Sequence, residues 1–404
     1  MVTRDGVGTT AASRSTRESA RRLTAISASA QSNCGTKLYC LIPTALHTTS
    51  SDFNFFNDAF GTQIGQLPLA SPASGFIYSF DKSGVYTSSS ESFGPLLAER
   101  SETIGRHKLY LAFTYQRFAF DEIDGNDIKK IPILFDYPQA PPAQVVTITQ
   151  NRVDTNIEQY VAFATFGLAS RVDVSVALPF ERVSMGITSS GTEYSTTNSA
   201  TASFNEFLAG SASGIGDVVL SAKGTLIKGE RFGMAIGAEL RLPSGDERNF
   251  LGSGALGVKP YLVLSRRGRV APHVNVGYQW NADSVLAADE NGNQHLPGYF
   301  GYVAGADIGL SKRLTVVADL VGEHFFDAPQ ISRPETVSAT VNNQSTVFAS
   351  VVRVNGSYEV NNLSVGLKVN PVGHLLVSAN ALIKLDEGGV RARVVPLVGL
   401  SYSF

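Results

Sequence analysis

From Gly75 onward, apolar and polar positions alternate along the chain with a period of two. The clearest run sets Phe232, Met234, Ile236, Ala238, Leu240 and Leu242 against Gly233, Ala235, Gly237, Glu239 and Arg241. On a helix these six apolar groups would scatter around the circumference; on a strand they form one face. Leu363, Val365, Leu367 and Val369 alternate in the same way with Asn362, Ser364, Gly366 and Lys368. So do Val394, Pro396, Val398, Leu400, Tyr402 and Phe404 with Arg393, Val395, Leu397, Gly399, Ser401 and Ser403.

The connections alternate as well. Short turns fall at Gly105-Arg106, Ala169-Ser170, Lys228-Gly229, Arg267-Gly268, Ser311-Lys312 and Pro371 to Gly373. Long polar loops fall around 121–141, 189–211, 244–252, 284–296, 327–345 and 385–389. Tight turns at one end and long loops at the other are the arrangement of a bacterial outer-membrane barrel. About fourteen strands are predicted, the first two near 75–87 and 93–104 and the last over 390–404. Their apolar faces are long enough for a tilted strand to cross hydrocarbon, where unpaired backbone is forbidden and the sheet must close. The expectation is an all-β, transmembrane antiparallel β-barrel over 75–404, preceded by a plug over 52–74 and a leader or disordered segment over 1–51.

Composition narrows the picture. The chain has 404 residues, 43% of them hydrophobic, and a formal net charge of −2. Its mean hydropathy is +0.03 and its pI about 6.3. No stretch approaches the apolar length that a membrane helix needs. With no basic excess to neutralise phosphates, a nucleic-acid partner is not expected. The 23 Phe and 14 Tyr against only 3 Met suit strands and interfacial aromatics. The leader is irregular: Arg14, Arg17, Arg21 and Arg22 precede a short apolar core, Leu23 to Ile26, and Ala28-Ser-Ala30 resembles a cleavage site. Cys34 and Cys40 read as a local disulfide if the chain is exported.

Little in the sequence points to catalysis. Gly252-Ser-Gly-Ala-Leu-Gly257 matches the dinucleotide fingerprint, but a strand rather than a helix is predicted after it, so a glycine-rich loop is expected. The six histidines are scattered with no metal-binding spacing, so no metal or cofactor is predicted. Parity instead sends charges inward: Asp217, Lys223, Glu239, Arg241, Lys259, Asp307, Asp319, Glu323, Lys368, Lys384, Arg391 and Arg393. Both signs are present, so they either pair across the wall or line a polar path. Val219, Tyr261, Val317 and Leu397 add apolar surface to the lumen, while Trp280, Phe300, Tyr302, Tyr402 and Phe404 face out as a girdle. Phe53, Phe55, Phe56 and Phe60 form an aromatic cluster ahead of the first strand. Pro179, Pro260, Pro272 and Pro396 each remove a ladder donor, which marks strand ends or kinks that could open the wall.

Two groups of motifs carry a family resemblance. One comprises Asn54-Phe-Phe-Asn57, Pro72-Ala-Ser-Gly-Phe76, Phe93-Gly-Pro-Leu-Leu-Ala-Glu-Arg100, Glu102-Thr-Ile-Gly105 and Phe118-Ala-Phe-Asp-Glu-Ile-Asp-Gly125. The other comprises Gly214-Ile-Gly-Asp217 with Lys223, Leu242-Pro-Ser-Gly-Asp246 and Leu251-Gly-Ser-Gly254. Over roughly 52–404 the chain resembles the meta-pathway phenol-degradation outer-membrane family, related to the long-chain fatty-acid transporters. The resemblance implies a plugged barrel that passes hydrophobic or aromatic small molecules without energy input. It also implies that Tyr402 and Phe404 end a strand read by the barrel-assembly machinery. The competing expectation is a barrel that transports nothing: an anchor, an adhesin or a hydrolase.

Overall fold

The computed structural model describes residues 36–46, 54–69, 78–80, 86–88, 92–137, 145–289 and 292–404. A ring of twelve antiparallel strands closes on itself. The strands are β1 (Leu109–Phe120), β2 (Val145–Ala169), β3 (Val172–Ser195), β4 (Val218–Lys228), β5 (Phe232–Leu242) and β6 (Gly257–Arg266). They continue as β7 (Val270–Asn281), β8 (Tyr299–Ser311), β9 (Leu314–Ile331), β10 (Arg353–Val369), β11 (Leu375–Lys384) and β12 (Val394–Ser403). Each pairs with the next, and β12 returns to β1 in a register that runs from Leu397 opposite Gln116 to Ser403 opposite Tyr110. The Phe404 amide completes the seam by donating to the Leu109 carbonyl at 2.8 Å. Closure leaves no edge inside the lipid.

Two further strands bond outside the ring and bring the sheet to 14. Ile131–Tyr137 pairs with the loop end of β2, and Thr201–Ile215 with the loop end of β3. Thr201–Ile215 and β4 lie end to end along β3, because Phe180 opposes Ile215 and Ala177 opposes Val219. Residues 216–218 thus face only 178–179, a bulge that re-aims Asp217. β2 and β3 have 25 and 24 residues, well beyond the roughly 10 that cross a membrane, so their loop ends stand clear of it.

The expected strands near 75–87 and 93–104 are not in the ring, which starts at Leu109. Tyr78–Phe80 and Tyr86–Ser88 pair with each other and, among the described residues, with no ring strand. Residues 92–104 are not a strand and run through the barrel interior, so the filling of the lumen extends beyond the expected 52–74. The physical reason lies in the adjacent charges Glu99 and Arg100. On a wall strand one of them would face lipid, whereas both are buried here.

Parity in the ring follows the sequence pattern. Phe113, Leu178, Ile236, Leu264, Leu367 and Leu400 are exposed on the outer face, while Ala235, Val317, Asp319 and Leu397 are buried within. No helix among the described residues is long and apolar enough to cross a membrane. Tyr278 and Trp280, with ring centroids 4.6 Å apart, belong to an outer girdle near the loops. Tyr402 and Phe404, also 4.6 Å apart, belong to one near the turns.

Candidate channel interior

Two pieces of chain occupy the lumen. The first contains helix α2 (Asn54–Ile64), which follows the short helix α1 (Leu41–Ala45). Helix α2 sits at the loop end against β9 and the segment Asp283–Asp289. Phe60 is fully buried there, and a Cβ on Gly61 would stand 3.0 Å from the Leu286 side chain. Gln63 is clipped to both backbone groups of Val390. Beyond the helix the chain descends along the wall: Arg241 donates to the Gly65 carbonyl at 3.3 Å, Asn281 to the Gln66 side chain at 2.9 Å, and Gln116 to the Pro68 carbonyl at 2.7 Å. Phe53 lies outside the described residues, as do the side chains of Phe55 and Phe56.

The second piece is a strap over 92–104 across the turn end. It has no ladder partner among the described residues, so its buried backbone must be satisfied elsewhere. Wall side chains do this. Thr315 accepts from the Phe93 amide at 3.0 Å, Asn275 from Glu99 at 2.5 Å, Ser265 from Ser101 at 3.0 Å and Asp173 from Ile104 at 2.9 Å. In the other direction, Lys368 donates to the carbonyls of Phe93 and Pro95, Lys223 to that of Arg100 and Thr225 to that of Ser101. Ion pairs reinforce the attachment: Lys223 to Glu99 at 2.5 Å, Arg100 to Asp307 at 2.7 Å and Arg267 to Glu102 at 2.5 Å. His273 bridges Asp319 at 2.9 Å and Asp307 at 3.4 Å behind the strap.

Between the two pieces lies a cavity of about 190 Å³. Leu67, Pro68 and Leu69 cap it, Leu97 and Ala98 floor it, and Phe163, Ala177, Val219, Tyr261 and Val321 form apolar wall. Gly277 and Gly301, opposite each other on β7 and β8, leave the wall bare and widen the space. Polar side chains complete the lining, with Glu181, Glu239, Arg241, Lys259 and Glu323 among them, and several engage one another. Lys259 meets Glu239 at 3.0 Å, Arg241 reaches Asn281 at 2.5 Å, and Gln159 donates to Glu181 at 2.8 Å.

The inward charges therefore divide by task. Glu239, Arg241 and Lys259 line the cavity, with Asp217 at its edge, while Lys223, Asp307 and Lys368 hold the strap, and Asp319 backs it through His273. Arg393 is different: its side chain is 79% exposed at the loop rim, near Asp121. It precedes the first residue of β12, so strand parity no longer directs it inward. Lys384 pairs with Glu122, and Arg391 with Asp386 at 3.3 Å, nearer the loops. The strap charges Glu99, Arg100 and Glu102 were not among the expected lumen groups. Their adjacency in sequence is the signal that rules them out of a lipid-facing strand.

Asp217 also explains the glycine-rich motifs. Its carboxylate accepts from the amides of Gly245 and Ser253 at 3.1 and 2.8 Å, and from the Ser253 hydroxyl at 2.5 Å. A Cβ on Gly252 would stand 2.3 Å from that carboxylate, and one on Gly65 would stand 2.7 Å from the Ser253 backbone. The glycines of 252–257 are thus required by close packing, and strand β6 follows them. Prolines mark three interruptions of the ladder. Pro179 faces the bulge at 216–218, Pro260 lies where β6 and β7 skip the pairs between Val258 and Tyr261, and Pro396 lies just above the last β12–β1 pair. Pro272 keeps its register opposite Ala306.

These features define a closed membrane barrel with an occupied lumen and an internal, largely apolar cavity. A family model described as "Putative MetA-pathway of phenol degradation" matches residues 138–370, more than half of the chain, and the protein belongs to that family. A search of curated proteins gives no match. Among solved structures, an outer membrane channel from Pseudomonas putida F1 is similar at 11% identity and a TM-score of 0.48, over 76% of this chain and 99% of that one. A FadL homologue from Pseudomonas aeruginosa is similar at 9% identity and 0.32, over 82% and 96%. The toluene transporter TbuX of Ralstonia pickettii is similar at 10% and 0.30, over 79% and 96%.

Proposed function

We propose that this protein is a bacterial outer-membrane channel through which small apolar or aromatic molecules diffuse without energy input. The observation that carries the reading is the cavity between Leu69 and Leu97. More of its surface is apolar than polar, and charged and amide groups set into the wall can orient a solute, as in small-molecule sites. The family description, with its reference to phenol degradation, agrees with an aromatic solute. A hydrolase reading finds less support. The inward histidine of the sequence, His273, has both ring nitrogens engaged, by the Ala271 carbonyl and by Asp319.

The strap closes the straight path toward the turns, so a sideways exit through the wall fits better than an axial one. Pro179 lines the cavity beside the bulge, and an apolar solute leaving there would enter lipid directly. The test is a crystal of the intact protein grown with a brominated monocyclic aromatic. Anomalous signal among Leu69, Leu97 and Val219 is expected. Signal confined to the outer girdles would contradict the reading.

A further inference from the structure

The two ends of the barrel treat charge differently. At the loop end, cations stand among carboxylates: Arg333 pairs with Glu387 at 2.5 Å, Arg152 with Asp154 at 2.8 Å and Lys37 with Asp246 at 2.5 Å, and Arg117 and Arg182 lie opposite Glu158 on either side in the ladder. The turns of the other end lie at 105–108, 170–171, 228–231, 266–269, 311–313 and 370–374. All but the last carry lysine or arginine, and Glu230 is the one carboxylate side chain within them. Among the described residues, Arg106, Arg171, Lys228, Arg231, Lys312 and Arg313 have no carboxylate partner. All six are exposed. Arg267 is the exception that turns inward, to Glu102 of the strap.

A ring of unneutralised cations is costly to hold together unless something anionic lies beside it. Its depth says what. The turns sit directly beyond the apolar outer band: Leu168, Ile227, Phe232, Leu310 and Phe404 are exposed on the wall just above them. The Arg266 guanidinium lies 5.9 Å from the centre of the Phe232 ring, and the His107 ring stacks on Phe166 at 6.4 Å. These cations therefore stand at the headgroup level of the leaflet on the turn side, where acyl chains meet the band and phosphates meet the ring.

We propose that the turn end is a binding surface for anionic phospholipid headgroups, such as phosphatidylglycerol, in the leaflet that faces the periplasm. Each lipid would place its phosphate against Arg266, Lys312, Arg313 or the remaining N–H groups of Arg269, whose Nε and Nη2 donate to the Gly309 and Leu310 carbonyls, and its chains against Val270, Ile308 and Leu310. The proposal rests on the membrane placement above. A failure of that placement would appear as a barrel that does not insert, whereas a failure here leaves an inserted barrel with no lipid preference.

The test is native mass spectrometry of the full chain from mixed micelles that hold equal phosphatidylglycerol and phosphatidylcholine with matched chains. One variant carries Arg266→Gln, Arg269→Gln, Lys312→Gln and Arg313→Gln. A control variant carries Arg117→Gln, Arg152→Gln, Arg333→Gln and Arg353→Gln toward the loops. Both are checked for folding by heat-modifiable gel mobility. If the turn variant does not fold, Arg266→Gln and Arg313→Gln are measured singly, each expected to lose part of the preference. The wild type and the control should retain phosphatidylglycerol by about tenfold over phosphatidylcholine, and the turn variant should retain both equally. Equal retention by the wild type, or equal loss in both variants, would overturn the proposal. So would displacement of the lipid by excess glycerol phosphate, which would show that a free phosphate suffices without the apolar band.

Discussion

Asp217 and Ser253 hold each other through two hydrogen bonds, from the Ser253 amide at 2.8 Å and the Ser253 hydroxyl at 2.5 Å, to a single carboxylate oxygen. The pair joins a bulge in the barrel wall to the loop on which the plug rests. Ser244 adds to the joint by donating to the Gly216 carbonyl at 2.8 Å while it accepts from the Val218 amide at 2.9 Å. Asp217→Ala would leave the buried Ser253 amide and the partly buried Gly245 amide without their acceptor, at a cost of about 1–3 kcal/mol. The barrel should still close, with faster proteolysis in 243–256. Unchanged protection of that loop would show that the joint contributes nothing.

The strap rather than the helix should set the leak. Deleting 54–69 removes the cap of the cavity but leaves 92–104 in place, so conductance in planar bilayers should rise little. Lys223→Met removes the wall cation that pairs with the strap's buried Glu99, a loss of about 3–5 kcal/mol that favours release of the strap. Conductance should then rise clearly. A large leak from the deletion together with a silent Lys223→Met would reverse the assignment of roles.

Lipid-facing and lumen-facing positions should respond differently to charge. Ile236 is 47% exposed on the outer wall, and Ile236→Arg should cost about 2–4 kcal/mol near the bilayer midplane. Leu240→Lys should also destabilise, by less nearer the loops. Glu239→Lys should change the cavity and cost less than Leu240→Lys, since its side chain points into the lumen beside Lys259, where the like-charge contact is partly hydrated. Gly237→Arg would fail sterically, because a Cβ there already stands 2.3 Å from the Tyr261 ring. Urea unfolding monitored by gel mobility separates these cases. Equal losses for Leu240→Lys and Glu239→Lys would mean that the parity is wrong.

The seam should be needed for assembly. Removing Tyr402 to Phe404 deletes the pairs of Tyr402 with Leu111 and of Ser403 with Tyr110, and the bond from Phe404 to Leu109. We expect the truncated chain to be rejected by the barrel-assembly machinery and to lose heat-modifiable mobility. Normal mobility would place the assembly signal elsewhere.

The ring was legible in the sequence because lipid imposes one strict rule, apolar out on every second residue, and 232–242, 363–369 and 394–404 obey it. The same parity puts Lys223, Glu239, Arg241, Lys259, Asp307, Asp319 and Lys368 on the inner face of their strands, whereas Asp217 sits at the bulge before β4. Arg393 does not point inward, because parity ends with the strand. The strap was misread for a related reason. Its backbone partners are side chains such as Thr315, Asn275 and Lys368, more than 150 positions away, and local alternation carries no trace of them. Only the neighbouring charges Glu99 and Arg100 betrayed it. The cavity was not legible either, since it arises where Gly277 meets Gly301 across two strands.

Passage of an apolar solute through the cavity and out through the wall is the central claim. Its most direct test is uptake of a labelled monocyclic aromatic and of glucose by proteoliposomes that hold the wild type, Val219→Trp or Pro179→Val. Tryptophan at 219 fills the cavity, and valine at 179 restores a ladder donor beside the bulge. The account predicts protein-dependent entry of the aromatic but not of glucose, abolished by Val219→Trp and reduced several-fold by Pro179→Val. Aromatic uptake equal to that of empty liposomes, or equal in all three proteins, would contradict it.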